Sequence, residues 1–326
     1  MIPRFLRRMG GALVVLLLVV IGAFFMLESA SGDAVDAYVA GIGGADAARI
    51  AELRSEWGLD QGPAFRLKAY LSALAHGDFG WSTAFQRPVL TILLERLPVT
   101  LITMGSALAL AFLLGIALGF LAGWRPNGWL DRVLSLGSLA LYAMPGFWLS
   151  LVLIMVFSVM LRWLPASGFE TMASGKTGLE RARDIAWHLV LPVGALGLLY
   201  MTLFLRLLRD GMEEVWHADF VRAARARGVT GWRLALNHVA RNALAPVITM
   251  LGLQSASLLG GSVVVESVFA IPGFGRLAAE AVARRDTPLL LGVVLFSAVV
   301  VIVMNLLADL VQAWLDPRIG ASERVA

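Results

Sequence analysis

The sequence contains no cysteine and few charged residues. Among its 326 residues there is no cysteine, and only 15% are Asp, Glu, Lys or Arg. The absence of cysteine excludes disulfides, thiolate metal sites and cysteine nucleophiles. Soluble domains usually contain about 25% charged residues. An ordinary soluble enzyme and a disordered chain are therefore both poor fits.

The signatures of several catalytic sites are also missing. Gly175-Lys176-Thr177 looks like the end of a phosphate-binding loop, but Glu170 stands where that motif needs its first glycine. Gly260-Gly261-Ser262 has no histidine within any predicted span to activate the serine. No zinc-protease motif is present, and the four histidines lie in different loops or span ends: His76, His188, His217 and His238. We therefore predict no catalytic site, metal or cofactor, and we expect no nucleotide hydrolysis by this chain.

Long apolar blocks dominate what is present. Apolar residues make up 59% of the chain, and its mean hydropathy is +0.78. A bilayer core requires roughly 20 apolar helical residues. Six blocks satisfy this requirement: residues 10–27, 98–124, 133–160, 187–208, 246–270 and 288–315. The sequence predicts an all-α, polytopic membrane protein with six transmembrane helices. A cleaved signal peptide is the alternative for the first block, but the block is longer than usual for a signal.

Basic residues between the blocks predict the orientation. Arginines occur at positions 4, 7 and 8 of the N-terminal tail, in the 124–132 loop and throughout 206–244. Cytoplasmic loops of membrane proteins carry such an excess of Lys and Arg. We therefore predict that both termini are cytoplasmic, and we attribute the net charge of +4 to these loops rather than to nucleic-acid binding.

The blocks divide the chain into four parts. Residues 1–27 form a cytoplasmic tail and first span, and 28–96 an extracytoplasmic insertion. Residues 97–315 form a five-helix core with a cytoplasmic loop at about 208–244, and 316–326 form a cytoplasmic tail. Within the insertion, apolar spacing predicts short helices over 46–57 and 65–74, the first ending at Gly58.

The cytoplasmic segment 219–246 has the pattern of a rigid knob. Asp219 is suited to cap a short helix, Gly228 to end it and Thr230 to begin a second helix. Three alanines allow close approach to another surface, and three arginines offer charged contacts: Ala223, Ala224, Ala226, Arg222, Arg225 and Arg227. Two interpretations remain open from the residues alone. The segment is either a lever for a soluble partner or a basic element lying on the anionic inner leaflet.

This segment resembles the coupling loop of permease subunits of ABC importers. Residues 222–228 read RAARARG, similar to the Glu-Ala-Ala-x-x-x-Gly signature as it occurs in the peptide branch, and 237–246 read NHVARNALAP. Further stretches resemble the same family: ESVFAIPGFG at 266–275, DPR at 316–318, and GDFGWS, RPV and ERLP from 77 to 98. The long insertion is similar to that of the B-type permease of dipeptide and oligopeptide importers.

The resemblance implies a fold, partners and a set of coupling residues. It implies the type I importer permease fold in a bacterial inner membrane, a second permease, two cytoplasmic ATPase subunits and an external solute-binding protein. ATP hydrolysis would belong to those ATPases. The residues implied to dock on them are Asp219, Arg222, Ala223, Ala224, Arg225, Arg227, Gly228 and Arg241. The cargo implied is a dipeptide or oligopeptide, with nickel chelates, glutathione or another small solute as alternatives. A stand-alone secondary transporter is the alternative from a different class.

Polar residues in or near the spans are further candidates, because such residues are costly in lipid and often functional. Glu266, with Pro272, Gly273 and Gly275, is either a structural turn or part of a gate. Arg206 and Arg209 lie at the inner end of the fourth span, and Asn305 and Asp309 lie in the sixth. Pro145-Gly146 predicts a kink in the third span. No residue is assigned to substrate binding.

Overall fold

The structure is a computed structural model that describes residues 2–29, 35–36, 39, 43–56, 58, 60–256 and 263–315. The described residues are predominantly helical. They form two compact units. One contains the residues up to Val99 together with Gly273–Val303, and the other contains Thr100–Pro272 together with the residues from Met304.

Thirteen helices and one small hairpin can be followed in the described residues. The helices are α1 (Ile2–Glu28), α2 (Ala47–Glu56), α3 (Pro63–Ala75), α4 (Val89–Trp124), α5 (Trp129–Ala143), α6 (Gly146–Leu153, continued by a π-helix over Ile154–Met160), α7 (Gly178–Trp216), α8 (Asp219–Ala226), α9 (Gly231–Leu234, continued by a π-helix over Ala235–Ala240), α10 (Arg241–Ala256), α11 (Val263–Val268), α12 (Phe274–Ala283) and α13 (Thr287–Leu315). The strands β1 (Trp81–Ser82) and β2 (Arg87–Pro88) pair antiparallel.

The long helices coincide with the apolar blocks. Among the described residues, α4, α7 and α13 are long and apolar enough to cross a membrane, and α5 with α6 forms a further crossing if the bent pair counts as one span. Helix α1 contains a shorter apolar stretch, Val14–Met26. The fifth block includes α10 and α11, and residues 257–262 between them lie outside the described residues. The predicted all-α polytopic architecture is confirmed.

The predicted kink in the third block is a complete break. Helix α5 ends at Ala143, α6 begins at Gly146, and their axes differ by 103°. Met144 has extended backbone torsions, as expected for a residue that precedes proline. Pro145 then occupies the N-cap position of α6, where its missing N–H costs no helical hydrogen bond.

Helix α7 is longer than its apolar block. It begins nine residues before position 187 and continues to Trp216, and it passes through Pro192 without interruption. Good helix formers such as Leu179, Glu180, Glu213 and Glu214 extend the helix at both ends. The segment that follows the fourth span therefore starts as helix and turns only at His217 and Ala218.

The insertion contains the two predicted helices and a hairpin that we did not predict. Helices α2 and α3 match the expected pair, and Gly58 has a positive φ of 66°. The hairpin is held by Asp286, whose buried carboxylate accepts hydrogen bonds from Ser82 Oγ at 2.5 Å and from the Ala84 N–H at 2.9 Å. Asp286 also accepts from the Leu289 N–H at the start of α13. This carboxylate therefore caps a helix and fixes the hairpin.

Helices α4 and α7 approach closely along three glycines. Gly115, Gly119 and Gly123 recur every four residues on α4. A Cβ atom at Gly115 would lie 2.5 Å from the Phe204 Cβ, and one at Gly119 would lie 2.7 Å from the Leu205 carbonyl oxygen. Small residues at this spacing permit close helix packing in membranes. The Trp216 end of α7, which leads into the knob, is thereby fixed against α4.

Candidate functional site

The knob begins with helix α8. Asp219 lies within the first turn of α8, and Ala218 occupies the N-cap position without a side-chain cap. The expected cap by Asp219 is therefore wrong, because the turn at 217–218 starts the helix one residue earlier. The Asp219 carboxylate instead forms an ion pair with Arg222. An acidic group in the first turn still interacts favourably with the helix dipole.

Gly228 ends α8 as the sequence predicts. Its φ is +86°, in the left-handed region that glycine adopts without strain. The Gly228 N–H donates to the Arg225 carbonyl at 2.9 Å, and the Val229 N–H donates to the Ala224 carbonyl at 3.1 Å. These two bonds form a Schellman motif. Thr230 then occupies the N-cap position of α9, as predicted.

The faces of α8 differ in exposure. Val221 and Ala224 are buried against the rest of the unit. Ala223 and Ala226 are exposed, and the Phe220 ring is 44% exposed. The helix therefore presents an outward face with one aromatic ring between small residues. Such a face is suited to insertion into a groove of another protein.

The three arginines of the knob have different surroundings. Arg222 is paired with Asp219 in an exposed position. The Arg225 guanidinium lies over the Trp216 ring, 5.1 Å from its centroid. Arg227 is exposed and makes no ion pair within the described part of the chain. Arg227 is consequently the arginine of the three that is available for a new charged contact.

An aromatic cluster attaches the knob to α4, and sequence reasoning missed it. The Trp232 ring on α9 lies 4.7 Å from Phe120 and 5.1 Å from Trp124, with edge-to-face geometry in both pairs. Trp216 at the end of α7 donates its Nε1–H to the Gly123 carbonyl at 2.8 Å. Aromatic pairs of this kind contribute about 0.5–1.5 kcal/mol each beyond their buried area. The recurrence of tryptophan at the ends of consecutive segments was the available signal.

Arg241 begins α10, and its side chain is exposed. A Cβ atom at Gly211 on α7 would lie 3.4 Å from Ala243 on α10. Helix α10 therefore packs directly on α7, the helix that leads into the knob. The described geometry gives α8, α9 and the start of α10 a fixed attachment to α4 and α7.

Arg209 is held by carboxylates at the same end of α7. Its Nε and Nη2 donate to the two carboxylate oxygens of Asp131, both at 2.9 Å. Its Nη1 contacts Glu213 at 2.5 Å and Asp210 at 2.9 Å. Asp131 also accepts from the Asn127 N–H and Ser135 Oγ. Bidentate pairs of this kind are geometrically specific, so the start of α5 is fixed to α7.

Glu266 is buried in α11 and connects two helices. Its Oε1 accepts a hydrogen bond of 2.6 Å from Thr100 Oγ1 on α4, and both residues are 1% exposed or less. Its backbone carbonyl accepts from the Ile271 N–H. The second bond stabilises the turn, and the first bond joins α11 to α4. Both the structural and the gating interpretation remain predictions.

The remaining sequence candidates lie in other positions. Pro272 follows the turn after α11, Gly273 is the N-cap residue of α12, and Gly275 is buried within α12. Asn305 is exposed on α13. The Asp309 side chain, Gly260–Ser262 and residues 316–318 lie outside what the structure describes.

The loop before α7 contains an open, polar pocket with a volume of about 310 Å³. Lys176 pairs there with Asp184 at 2.6 Å, and Arg181 pairs with Glu170 at 2.6 Å. The hydrogen bond from Arg181 holds the pKa of the Glu170 carboxyl below its usual value. These lining cations already have carboxylate partners. Among the described residues, no group of three His, Asp or Glu side chains is arranged to hold a metal ion.

Comparison with known proteins identifies the family. Residues 115–321 match the family described as binding-protein-dependent transport system inner membrane component. This chain belongs to that family. It is 36% identical over 316 residues to the oligopeptide transport system permease protein AppB of Bacillus subtilis, covering 96% of this chain and 98% of that one. It is 35% identical over 315 residues to a Brucella abortus protein named as a peptide transport system permease, with the same coverage. The expected family and inner-membrane location are confirmed.

Two solved structures share the fold of this permease. A chain of the MetNI methionine ABC transporter in inward-facing conformations aligns with a TM-score of 0.56 and 16% identity, covering 70% of this chain and 97% of that one. A chain of an amino acid ABC transporter aligns with a TM-score of 0.50 and 17% identity, covering 68% and 94%. The importer permease fold expected from the sequence is therefore confirmed.

Proposed function

We propose that this permease forms half of the translocation pore of an ATP-driven importer for dipeptides or oligopeptides. A second permease forms the other half, two cytoplasmic ATPase subunits supply the energy, and an extracytoplasmic binding protein delivers the cargo. The family membership supports the transport role, and the names of the full-length relatives support a peptide cargo.

The observation that carries the coupling role is the attachment of the knob. Its outward face exposes Phe220 and Arg227, and its inner face is fixed through Trp232 to α4. A conformational change requires different contacts of the moving element in two states. A rigid knob transmits the closure of an ATPase pair into the spans, whereas a flexible loop would absorb it. The 219–246 segment is thus the lever on which the ATPases act.

Co-purification from mild detergent tests the assembly. The tagged chain is expected to retain a second permease and ATPase subunits, identified by mass spectrometry. The complex is then reconstituted with its binding protein, and ATP hydrolysis is measured with peptides, nickel chelates or glutathione. Stimulation of ATP hydrolysis by peptides alone supports a peptide cargo. Stimulation by nickel chelates or glutathione instead would identify that solute as the cargo. A stable, folded chain that purifies alone would instead assign the 219–246 segment to the membrane surface.

A further inference from the structure

A polar seam lies between helices α5 and α7. Four polar residues on α5 recur at intervals of four, three and four, which places them on one face of the helix, and four on α7 recur at the same intervals. They are Asp131, Ser135, Ser138 and Tyr142 on α5, and Thr202, Arg206, Arg209 and Glu213 on α7. Both helices belong to the same compact unit. Polar groups are expensive within a membrane and often functional, so a seam of this length is a candidate functional feature.

The two arginines of the seam differ in their partners. Arg209 contacts three carboxylates, from Asp131, Asp210 and Glu213. Arg206 makes no ion pair within the described part of the chain. Its Nε donates to Ser138 Oγ at 3.3 Å, and its guanidinium lies 5.1 Å from the centre of the Tyr142 ring. Its Nη2 is buried and has no hydrogen-bond acceptor among the described residues.

The position of Arg206 explains why the carboxylates of the seam do not neutralise it. Ser138 lies seven residues beyond Asp131 on α5, which corresponds to about 10 Å along the helix. The carboxylates are all at the Asp131 end of the seam, where Arg209 uses them. Arg206 therefore places a positive charge farther along the seam, in a region that supplies a hydroxyl and an aromatic ring.

The break between α5 and α6 lies beside this charge. Tyr142 is 67% exposed and precedes the non-helical residues Met144 and Pro145 by two residues. Its hydroxyl makes no hydrogen bond within the described residues. Non-helical backbone at membrane depth occurs only where it is buried in protein or lines a water-filled cavity. Ionisable residues within membrane spans almost always face the bundle interior or a water-filled cavity. The position of Arg206 beside the break therefore favours a water-filled path here over contact with lipid.

We propose that Arg206 and Tyr142 form a binding site for the carboxylate of the cargo as it passes through the pore. The site rests on the proposed peptide function, since peptides carry a terminal carboxylate. The guanidinium offers a fork of N–H donors that matches the two carboxylate oxygens, and the Tyr142 hydroxyl offers one donor more. Ser138 holds the guanidinium at its Nε, and neither Nη1 nor Nη2 has a carboxylate partner among the described residues.

Transport of matched probes by the complete importer tests this assignment. Tri-alanine and its C-terminal amide are each offered at saturating concentration with the same binding protein. Any preference of the binding protein for one of the two probes is then the same for every permease variant, and it cancels when variants are compared. Arg206→Gln should reduce the acid-to-amide ratio of uptake about tenfold, the value of one charge-assisted hydrogen bond. Arg206→Lys should recover part of the ratio. Arg209→Gln, which alters a paired arginine on the same helix, should reduce both rates equally.

Labelling supplies a second test that needs no transported peptide. The chain lacks cysteine, so Tyr142→Cys introduces a unique thiol. An anionic methanethiosulfonate should label this thiol faster than a cationic one, and Arg206→Gln should remove the difference. Tri-alanine should slow the labelling, and its amide should not.

The outcomes separate the two proposals. If the wild-type importer transports neither probe, the peptide function fails while the labelling still tests the charge. If Arg206→Gln changes the uptake of acid and amide equally, Arg206 is structural and the site is refuted. If the thiol at position 142 is labelled by neither reagent, the position faces lipid or a partner chain, and the site is also refuted.

Discussion

At the scale of single residues, Gly228 has a backbone conformation that few other residues adopt. Its φ of +86° closes the Schellman motif of α8, and no atom lies within 4 Å of the position that a Cβ would occupy. A side chain at this position would therefore meet backbone strain but no steric clash. Because backbone strain occurs here without a steric clash, the effect of a substitution at Gly228 measures the importance of the turn conformation alone.

We expect a graded series of transport defects at Gly228. Proline fixes φ near −65° and removes the N–H that bonds to Arg225, so Gly228→Pro should abolish uptake. The left-handed conformation costs alanine about 1–2 kcal/mol, so Gly228→Ala should reduce uptake partially. Gly228→Asn should retain most uptake, because asparagine tolerates this conformation. Uptake and membrane abundance are measured for each variant, and normal uptake by Gly228→Pro would refute the lever assignment.

The Asp131–Arg209 pair is a second residue-scale feature with a measurable effect. The Asp131 side chain is 4% exposed and the Arg209 side chain 20%. Removing one partner of a buried pair costs about 3–5 kcal/mol, because the other charge is left without compensation. Arg209→Gln should therefore lower the midpoint of thermal unfolding in detergent clearly. Arg132→Gln, at an exposed neighbouring position, should leave the midpoint unchanged, and equal effects of both variants would argue against the pair.

At the scale of elements, the attachment of α9 to α4 decides whether the knob acts as a lever. Trp232 contacts both Phe120 and Trp124 although its own ring is 47% exposed. This ring takes no part in the Schellman motif of α8, whose hydrogen bonds lie within residues 224–229. The docking surface and the attachment of that surface can therefore be tested separately.

Trp232→Ala should uncouple hydrolysis from transport. The ATPases should still bind α8, so the reconstituted complex should hydrolyse ATP while peptide uptake falls about tenfold, the effect of losing two aromatic pairs. Trp232→Phe keeps an aromatic ring and should retain most uptake. Leu236→Ala, at another exposed apolar position of the knob, is the control. If Trp232→Ala leaves the ratio of uptake to hydrolysis unchanged, the aromatic cluster does not transmit the motion.

The same elements show what the sequence could and could not predict. The Gly228 stop, the start of α9 and the helices of the insertion were predictable, because each depends on residues within a few positions. The partner of Arg209 was not, because Asp131 is 78 positions away in the chain. The partners of Trp232 were missed for the same reason. The third block was predicted as one kinked span because hydropathy does not report direction, whereas the structure breaks it by 103°.

At the scale of the whole molecule, the distribution of basic residues predicts the orientation of the spans. The positive-inside rule places both termini and the knob in the cytoplasm, and it places the insertion and the loop before α7 outside. The proposed function depends on this arrangement, because ATPases reach the knob only from the cytoplasm. An inverted chain would expose α8 to the binding protein instead.

Because the chain has no cysteine, single thiols can be introduced to determine the orientation. Ser72→Cys in α3 and Ser174→Cys before α7 should react with a membrane-impermeant maleimide in intact cells, since both positions are exposed. Ala226→Cys in α8, equally exposed, should react only after the membrane is permeabilised. Labelling at position 226 in intact cells would place the knob outside and refute the coupling role. Protection of position 174 together with labelling of position 72 would show that the number of crossings between them is odd, and would replace the six-span arrangement.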